Sequence, residues 1–241
     1  MRNNYPITSV LLSINISVYI VLNILAWNGI EIYSFVKAYI GFTQEAFHGE
    51  YWKHVTPMFV HVEWWHILGN SLAIWAFGTL SERYFGKRVY ILVYFISGLL
   101  AQTYDLAVAC GVDLLIENCD MGAGKSVFGA STCIWGLIGA LLVYSIAHKK
   151  DLFGSSIRSI LLYGPVMAIC IVGTFVTAHG LFKENLLDVL WGFGPHTYGF
   201  MEHGHGGAFI VGVILGLLIM TLRLIKTGPH NTIIPNKYFS E

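Results

Sequence analysis

Six stretches of this chain are apolar over the length needed to cross a lipid bilayer as a helix. A spanning helix needs roughly 20 mostly apolar residues, and the candidates run over approximately 7–27, 64–82, 88–109, 126–147, 157–179 and 205–225. Only 12% of the 241 residues are charged and 55% are hydrophobic, whereas a soluble domain carries about 25% charged residues. The expected fold is therefore all-α: a polytopic membrane protein built as a six-transmembrane-helix bundle. No linker, low-complexity run or internal repeat interrupts the sequence, so one membrane domain is expected over 1–241. Its core spans about 7–225, and 226–241, with Pro229 and Pro235, forms a cytoplasmic tail.

Lys and Arg in the short loops set the orientation. With the N-terminus inside, Arg2, Arg83, Lys87, Arg88, Lys149, Lys150, Arg158, Arg223, Lys226 and Lys237 lie on the cytoplasmic side, and Lys37, Lys53, Lys125 and Lys183 lie outside. Ten of the fourteen basic residues thus fall inside, so both termini are expected to be cytoplasmic. The first segment is long for a signal peptide and has no A-x-A-like cleavage site, so it reads as a retained helix. Zero formal net charge argues against nucleic acid as a partner. Cys133 and Cys170 fall within spans, while Cys110 and Cys119 lie near the outer face. A Cys110–Cys119 disulfide is compatible with that placement, but free thiols are the preferred reading.

Two outer connections are long. Residues 28–63 carry Tyr33, Phe35, Tyr39, Phe42, Phe47, Tyr51, Trp52 and Phe59, and aromatic rings favour the lipid–water boundary. This loop is expected to lie in the outer interface. Residues 180–204 are rich in glycine and run into the last span, where a mobile lid over a site would sit.

Polar and ionisable residues inside spans are costly, which makes them functional candidates by default. His66 and Asn70, four apart in the second span, share a helix face. Alone, such a pair also reads as interhelical hydrogen-bonding. Ser131 follows Gly129 and Ala130 near the outer end of the fourth span. There, backbone N–H groups lack intrahelical partners and the helix dipole is positive. Trp135 lies one turn further along the same face, where its ring can support an imidazole from another helix. In the last span Ala208, Gly212 and Gly216 form a small-residue stripe, with His205 two turns above Gly212 on that face. Such stripes let backbones approach closely, and Gly136, Gly139 and Ala140 offer the fourth span a matching surface. If the two meet, His205 reaches Ser131, although His203 competes for the same role. His66, Asn70, Ser131 and His205 all fall in the outer thirds of their spans: a nucleophile, a base and candidate oxyanion donors at similar depth.

This ordered set resembles the rhomboid family of intramembrane serine proteases. The resemblance rests on His66-xxx-Asn70, Gly129-x-Ser131 and His205 ahead of Gly212. Trp52-Lys53 is similar to the family's Trp-Arg pair, and His61 stands five before His66. It covers about residues 7–225 in order and topology. The resemblance implies that Ser131 is the nucleophile and His205 its base, with no third acid. It also implies that His66, Asn70 and the Ser131 amide hold the oxyanion and that Trp135 packs beneath the imidazole. The implied partners are transmembrane protein substrates in a lipid bilayer; with no transit peptide or large extension read in the sequence, a bacterial inner membrane is the expected location. No cofactor is implied. The chain departs from the family at Thr132, where glycine commonly follows the serine, which adds a side chain beside the nucleophile. It departs again at Lys53, which lacks the bidentate fork of arginine. A catalytically silent rhomboid-like protein that binds membrane clients is the alternative, although such relatives usually lack the serine or the histidine.

Other motifs are rejected. The run Met121–Ser126 lacks the first glycine of a phosphate loop, because position 119 is Cys119. In His61-Val-Glu63-Trp-Trp-His66 the histidines are five apart, so it is not the HExxH of zinc proteases. His61, His66, His203 and His205 have no spacing that puts several metal ligands on one helix face, so no metal is expected.

Overall fold

A computed structural model of the chain describes residues 5–110, 128–148 and 205–227. The expected span 157–179, Cys119, the connection 180–204, His203 and most of the tail lie outside the described residues. Helix α1 is Pro6–Trp27. Helix α2 runs through three continuous pieces: Trp64–Ala73, a π-helical turn Ile74–Gly78 and Thr79–Phe85. Helices α3, α4 and α5 are Lys87–Cys110, Ser131–His148 and His205–Thr227. The described residues contain no β-strand.

Three of these helices, over Pro6–Trp27, Lys87–Ala107 and His205–Leu222, are long and apolar enough to cross a bilayer. The fourth expected span, 126–147, begins as a helix only at Ser131. Gly129 has φ +118, a left-handed value that a helix cannot continue through. Large apolar side chains remain exposed on the outward faces, among them Ile20, Val21 and Ile24 on α1 and Ile214, Leu217 and Leu218 on α5. In water such bands would be an aggregation liability; in a bilayer they face acyl chains.

The larger of two buried clusters is built around Phe77, Tyr90, Tyr94, Ile134, Leu137 and Leu141 from α2, α3 and α4, and a smaller one joins Leu22 of α1 to Ile32, Val36 and Val60 of the connection that follows it. Helix α1 packs on the larger cluster through few buried side chains, and its N-terminus is held by a distant carboxylate. Pro6 occupies the first turn, where its missing N–H costs nothing. The Ile7 and Thr8 N–H groups donate to the two oxygens of Glu82 at 3.1 and 3.0 Å, and the Thr8 hydroxyl adds a third bond at 2.9 Å. Gly78 makes room for this contact, since a Cβ there would stand 2.5 Å from the Tyr90 hydroxyl and 3.2 Å from Thr8.

At the other end of the bundle, the connection from α1 to α2 is folded as a series of short helical turns. Lys53 anchors it. Its side chain is buried, with Glu50 at 2.5 Å, Glu45 at 4.0 Å and the Thr43 hydroxyl at 3.2 Å. Trp52 donates its indole N–H to the Tyr39 carbonyl at 2.9 Å, while Tyr33, Tyr39 and Tyr51 remain exposed.

Among the described helices, α4 and α5 make the most extensive contact. A Cβ on Gly212 would collide with the Gly136 carbonyl, and one on Gly139 with the Phe209 carbonyl. A Cβ on Gly216 would stand 3.1 Å from the Ala140 Cα. Ala208 is fully buried. The two small-residue stripes therefore meet backbone to backbone.

Candidate active site

The turn that precedes α4 is shaped by glycine and by two hydrogen bonds to the connection between α1 and α2. Gly129 donates its N–H to the Pro57 carbonyl at 2.8 Å. Ala130 donates its N–H to His61 Nε2 at 3.4 Å. Ile134 bonds back to the Ala130 carbonyl at 3.0 Å, so Ala130 is the cap and Ser131 the first residue of the helix. The N–H groups of Ser131 and the next two residues therefore have no intrahelical acceptor and sit at the positive end of the dipole.

His205 stands at the corresponding end of α5. Its Nε2 lies 2.7 Å from Ser131 Oγ, within hydrogen-bond distance. Trp135, one turn beyond Ser131, has its ring centroid 6.3 Å from the His205 imidazole and 6.4 Å from Phe209. The imidazole is thus backed by an indole while it reaches the hydroxyl. Thr132 is buried.

The third side of the site comes from the start of α2. His61 is fully buried, and burial, with His66 adding to it, pushes its imidazole down to about 3. It is therefore neutral, and Nε2 accepts from Asn70 Nδ2 at 2.7 Å as well as from Ala130. Those two bonds fix the tautomer: the proton is on Nδ1. They also fix the Asn70 amide. Asn70 Nδ2 and His66 Nε2 would stand 3.7 and 2.8 Å from a Cβ on Gly129. Only glycine fits there, both for its φ and for the space.

His66 packs edge to face on His61 at 4.8 Å and stacks on Trp65 at 5.6 Å. Its Nδ1 lies 3.7 Å from a Glu63 oxygen, and the other Glu63 oxygen accepts from the Tyr33 hydroxyl. The contact with His66, more than the hydrogen bond from Tyr33, holds the Glu63 carboxyl down at about 2. The bond to Glu63 pushes the Tyr33 phenol up to about 12.

Ser131, His205, His66, Asn70, Trp135, Gly129 and Gly212 are thus near one another or on the packing face that joins them. Glu63 and Tyr33 were absent from the sequence-based set. The i, i+3 spacing of Glu63 and His66 is a readable signal, but nothing local connects Tyr33 with Glu63, 30 residues away. Among the described residues no group of three or more His, Cys, Asp or Glu side chains is placed to hold a metal ion.

Comparison with known proteins bears on the whole arrangement. The family model of the Rhomboid domain matches residues 48–222. The chain is 31% identical over 102 residues to Rhomboid protease GluP of Bacillus subtilis (strain 168), which is 42% of this chain and 17% of that protein. It is 26% identical over 171 residues to Rhomboid-like protease 2 of Toxoplasma gondii, covering 70% of this chain and 48% of that one. To Rhomboid protease AarA of Providencia stuartii it is 30% identical over 103 residues, covering 41% and 36%. The chain spans less than half the length of each of these three relatives. With a family match over more than half its residues and apolar helices of spanning length, the chain is an integral membrane protein that belongs to the rhomboid family.

Proposed function

We propose that this chain is an intramembrane serine endopeptidase that cleaves single-pass membrane proteins within or beside their spanning segment. The observation that carries the reading is the 2.7 Å separation of Ser131 Oγ and His205 Nε2. Relatives named rhomboid proteases support the protease class.

In this mechanism His205 Nε2 takes the Ser131 proton as Oγ attacks the scissile carbonyl carbon. The resulting oxyanion is met by the Ser131 N–H, His66 and Asn70. Collapse of the tetrahedral intermediate breaks the C–N bond, and His205 returns its proton to the leaving amine. A water, deprotonated by His205, then hydrolyses the acyl ester on Ser131 and regenerates the hydroxyl. Preformed donors need no reorganisation as charge develops, and loss of one typically costs about 10²–10³ in kcat. Trp135 restrains the imidazole. Because a helical peptide bond is shielded by its own hydrogen bonds, substrates with helix-breaking residues near the scissile bond are preferred.

The architecture proposed with this function is a single domain over 1–241 with six spans. Both termini are cytoplasmic, the site opens to the outer face, and the membrane is a bacterial inner membrane. The chemistry requires no metal or nucleotide.

The test is cleavage of a tagged single-pass substrate by the full chain in lipid vesicles. Wild type cleaves, Ser131→Ala and His205→Ala fall to background, and a fluorophosphonate probe labels wild type but not Ser131→Ala. Cleavage retained by Ser131→Ala would overturn the reading. Substrate retained without cleavage by wild type would favour the client-binding alternative.

A further inference from the structure

Glu63 occupies the N-cap of α2, yet its side chain caps none of that helix's free N–H groups. An N-cap side chain ordinarily accepts from those donors. The Glu63 carboxylate is instead shared between a distant tyrosine and a histidine one turn along its own helix. One oxygen takes the Tyr33 hydroxyl from the outer connection, and the other lies 3.7 Å from His66 Nδ1. The far edge of the His66 ring, Cε1 and Nε2, borders Gly129, two residues before Ser131.

We propose that Glu63, steadied by Tyr33, is a positioning residue of the oxyanion site: it holds the Nδ1 edge of His66 and so keeps the Nε2 edge turned toward the carbonyl oxygen under attack. The proposal rests on the serine-protease reading above. The carboxylate stands on the Nδ1 side of the ring and Gly129 on the Nε2 side, so holding one edge fixes where the other points. The other groups against His66 supply no competing charge: His61 is neutral, and Trp65 and Phe128 are aromatic. Tyr33 occupies the second carboxylate oxygen, so the group that sets the oxyanion donor is tied to the fold of the outer connection.

Because the oxyanion contact exists only in the transition state, its loss lowers kcat and leaves KM unchanged. In vesicles with the tagged substrate, Glu63→Gln is expected to lower kcat about tenfold to hundredfold. Tyr33→Phe lowers it less, and the double variant behaves as Glu63→Gln alone, the non-additivity of groups acting in one chain. In a His66→Ala background, Glu63→Gln adds no further loss. Fluorophosphonate labelling of Ser131 in Glu63→Gln reports that the site is folded. If that labelling is lost, Tyr33→Phe decides: reduced kcat at constant KM supports the proposal, and wild-type kcat overturns it. Wild-type kcat in a labelled Glu63→Gln protein, or an undiminished effect in the His66→Ala background, would also overturn it. Cleavage surviving in Ser131→Ala would instead sink the protease reading itself, which keeps the two failures distinct.

Discussion

Gly212 lies directly against the carbonyl of Gly136, so α4 and α5 touch through their backbones below the Ser131–His205 pair. Each glycine is one to two turns from the polar residue on its own helix. The contact therefore sets the separation at which hydroxyl and imidazole meet. Gly212→Ala would drive a methyl into backbone atoms that cannot rotate away. We expect it to destabilise the protein by about 1–3 kcal/mol and to reduce cleavage far more than that loss of folded protein explains. Thermal unfolding in detergent, measured beside kcat at a temperature where the variant is folded, separates the two effects.

Gly129→Ala tests a different constraint. At φ +118 a side chain is strained wherever it points, and this one would also meet the His66 ring at 2.8 Å. Left-handed backbone in a non-glycine residue costs about 1–3 kcal/mol, and in the proposed mechanism the displaced ring no longer faces the oxyanion. We expect a kcat at least about tenfold below wild type with fluorophosphonate labelling slowed in parallel. Labelling at the wild-type rate would show that the ring has room to move.

Glu82 is far from the chemistry and should behave accordingly. It accepts three hydrogen bonds from the first turn of α1 while itself buried. Glu82→Ala leaves those donors unpaired, at a cost of about 1–3 kcal/mol. Glu82→Gln, which keeps one carbonyl acceptor, should cost less. Both are expected to lower the unfolding temperature and to retain the wild-type kcat at temperatures where they are folded. A kcat defect in folded Glu82→Gln would contradict this assignment.

His61 gives the fold a pH dependence with a defined sign. Its imidazole is held at about 3 against an ordinary value of 6.5, so between those values the unfolded chain takes up a proton that the folded protein refuses. Stability is complete above about pH 6.5 and declines as the pH falls, by at most about 1.4 kcal/mol per pH unit. Glu63 acts in the same direction but lower: its contribution is present above its ordinary value of 4.5 and is lost as the pH falls toward about 2. The interval between pH 4.5 and 6.5 therefore isolates His61 from Glu63. In that interval His61→Gln, though less stable at neutral pH, should show a shallower decline in unfolding free energy.

The helices that hold the site are legible in the chain because transfer into lipid is close to a sum over residues. The apolar runs at 7–27 and 88–109 appear within about a residue at each end as Pro6–Trp27 and Lys87–Cys110. The small-residue stripes are equally local: Ala208, Gly212 and Gly216 lie on one face by spacing alone, and they meet Gly136, Gly139 and Ala140. The start of α4 was not legible to that accuracy. An apolar count carries the span back to 126, whereas Gly129 breaks the helix and leaves Ser131 at its first position.

By itself, then, the sequence determined the solvent, the helices and the faces on which Ser131, His205, His66 and Asn70 lie, because composition and period are properties of short segments. Only the tertiary structure decided which nitrogen of His61 accepts, that Glu82 caps a helix 74 residues away, and that Tyr33 reaches Glu63. These depend on where one helix crosses another. A hydrogen bond is directional and short, and no local pattern encodes which distant atom will stand within 3 Å of it.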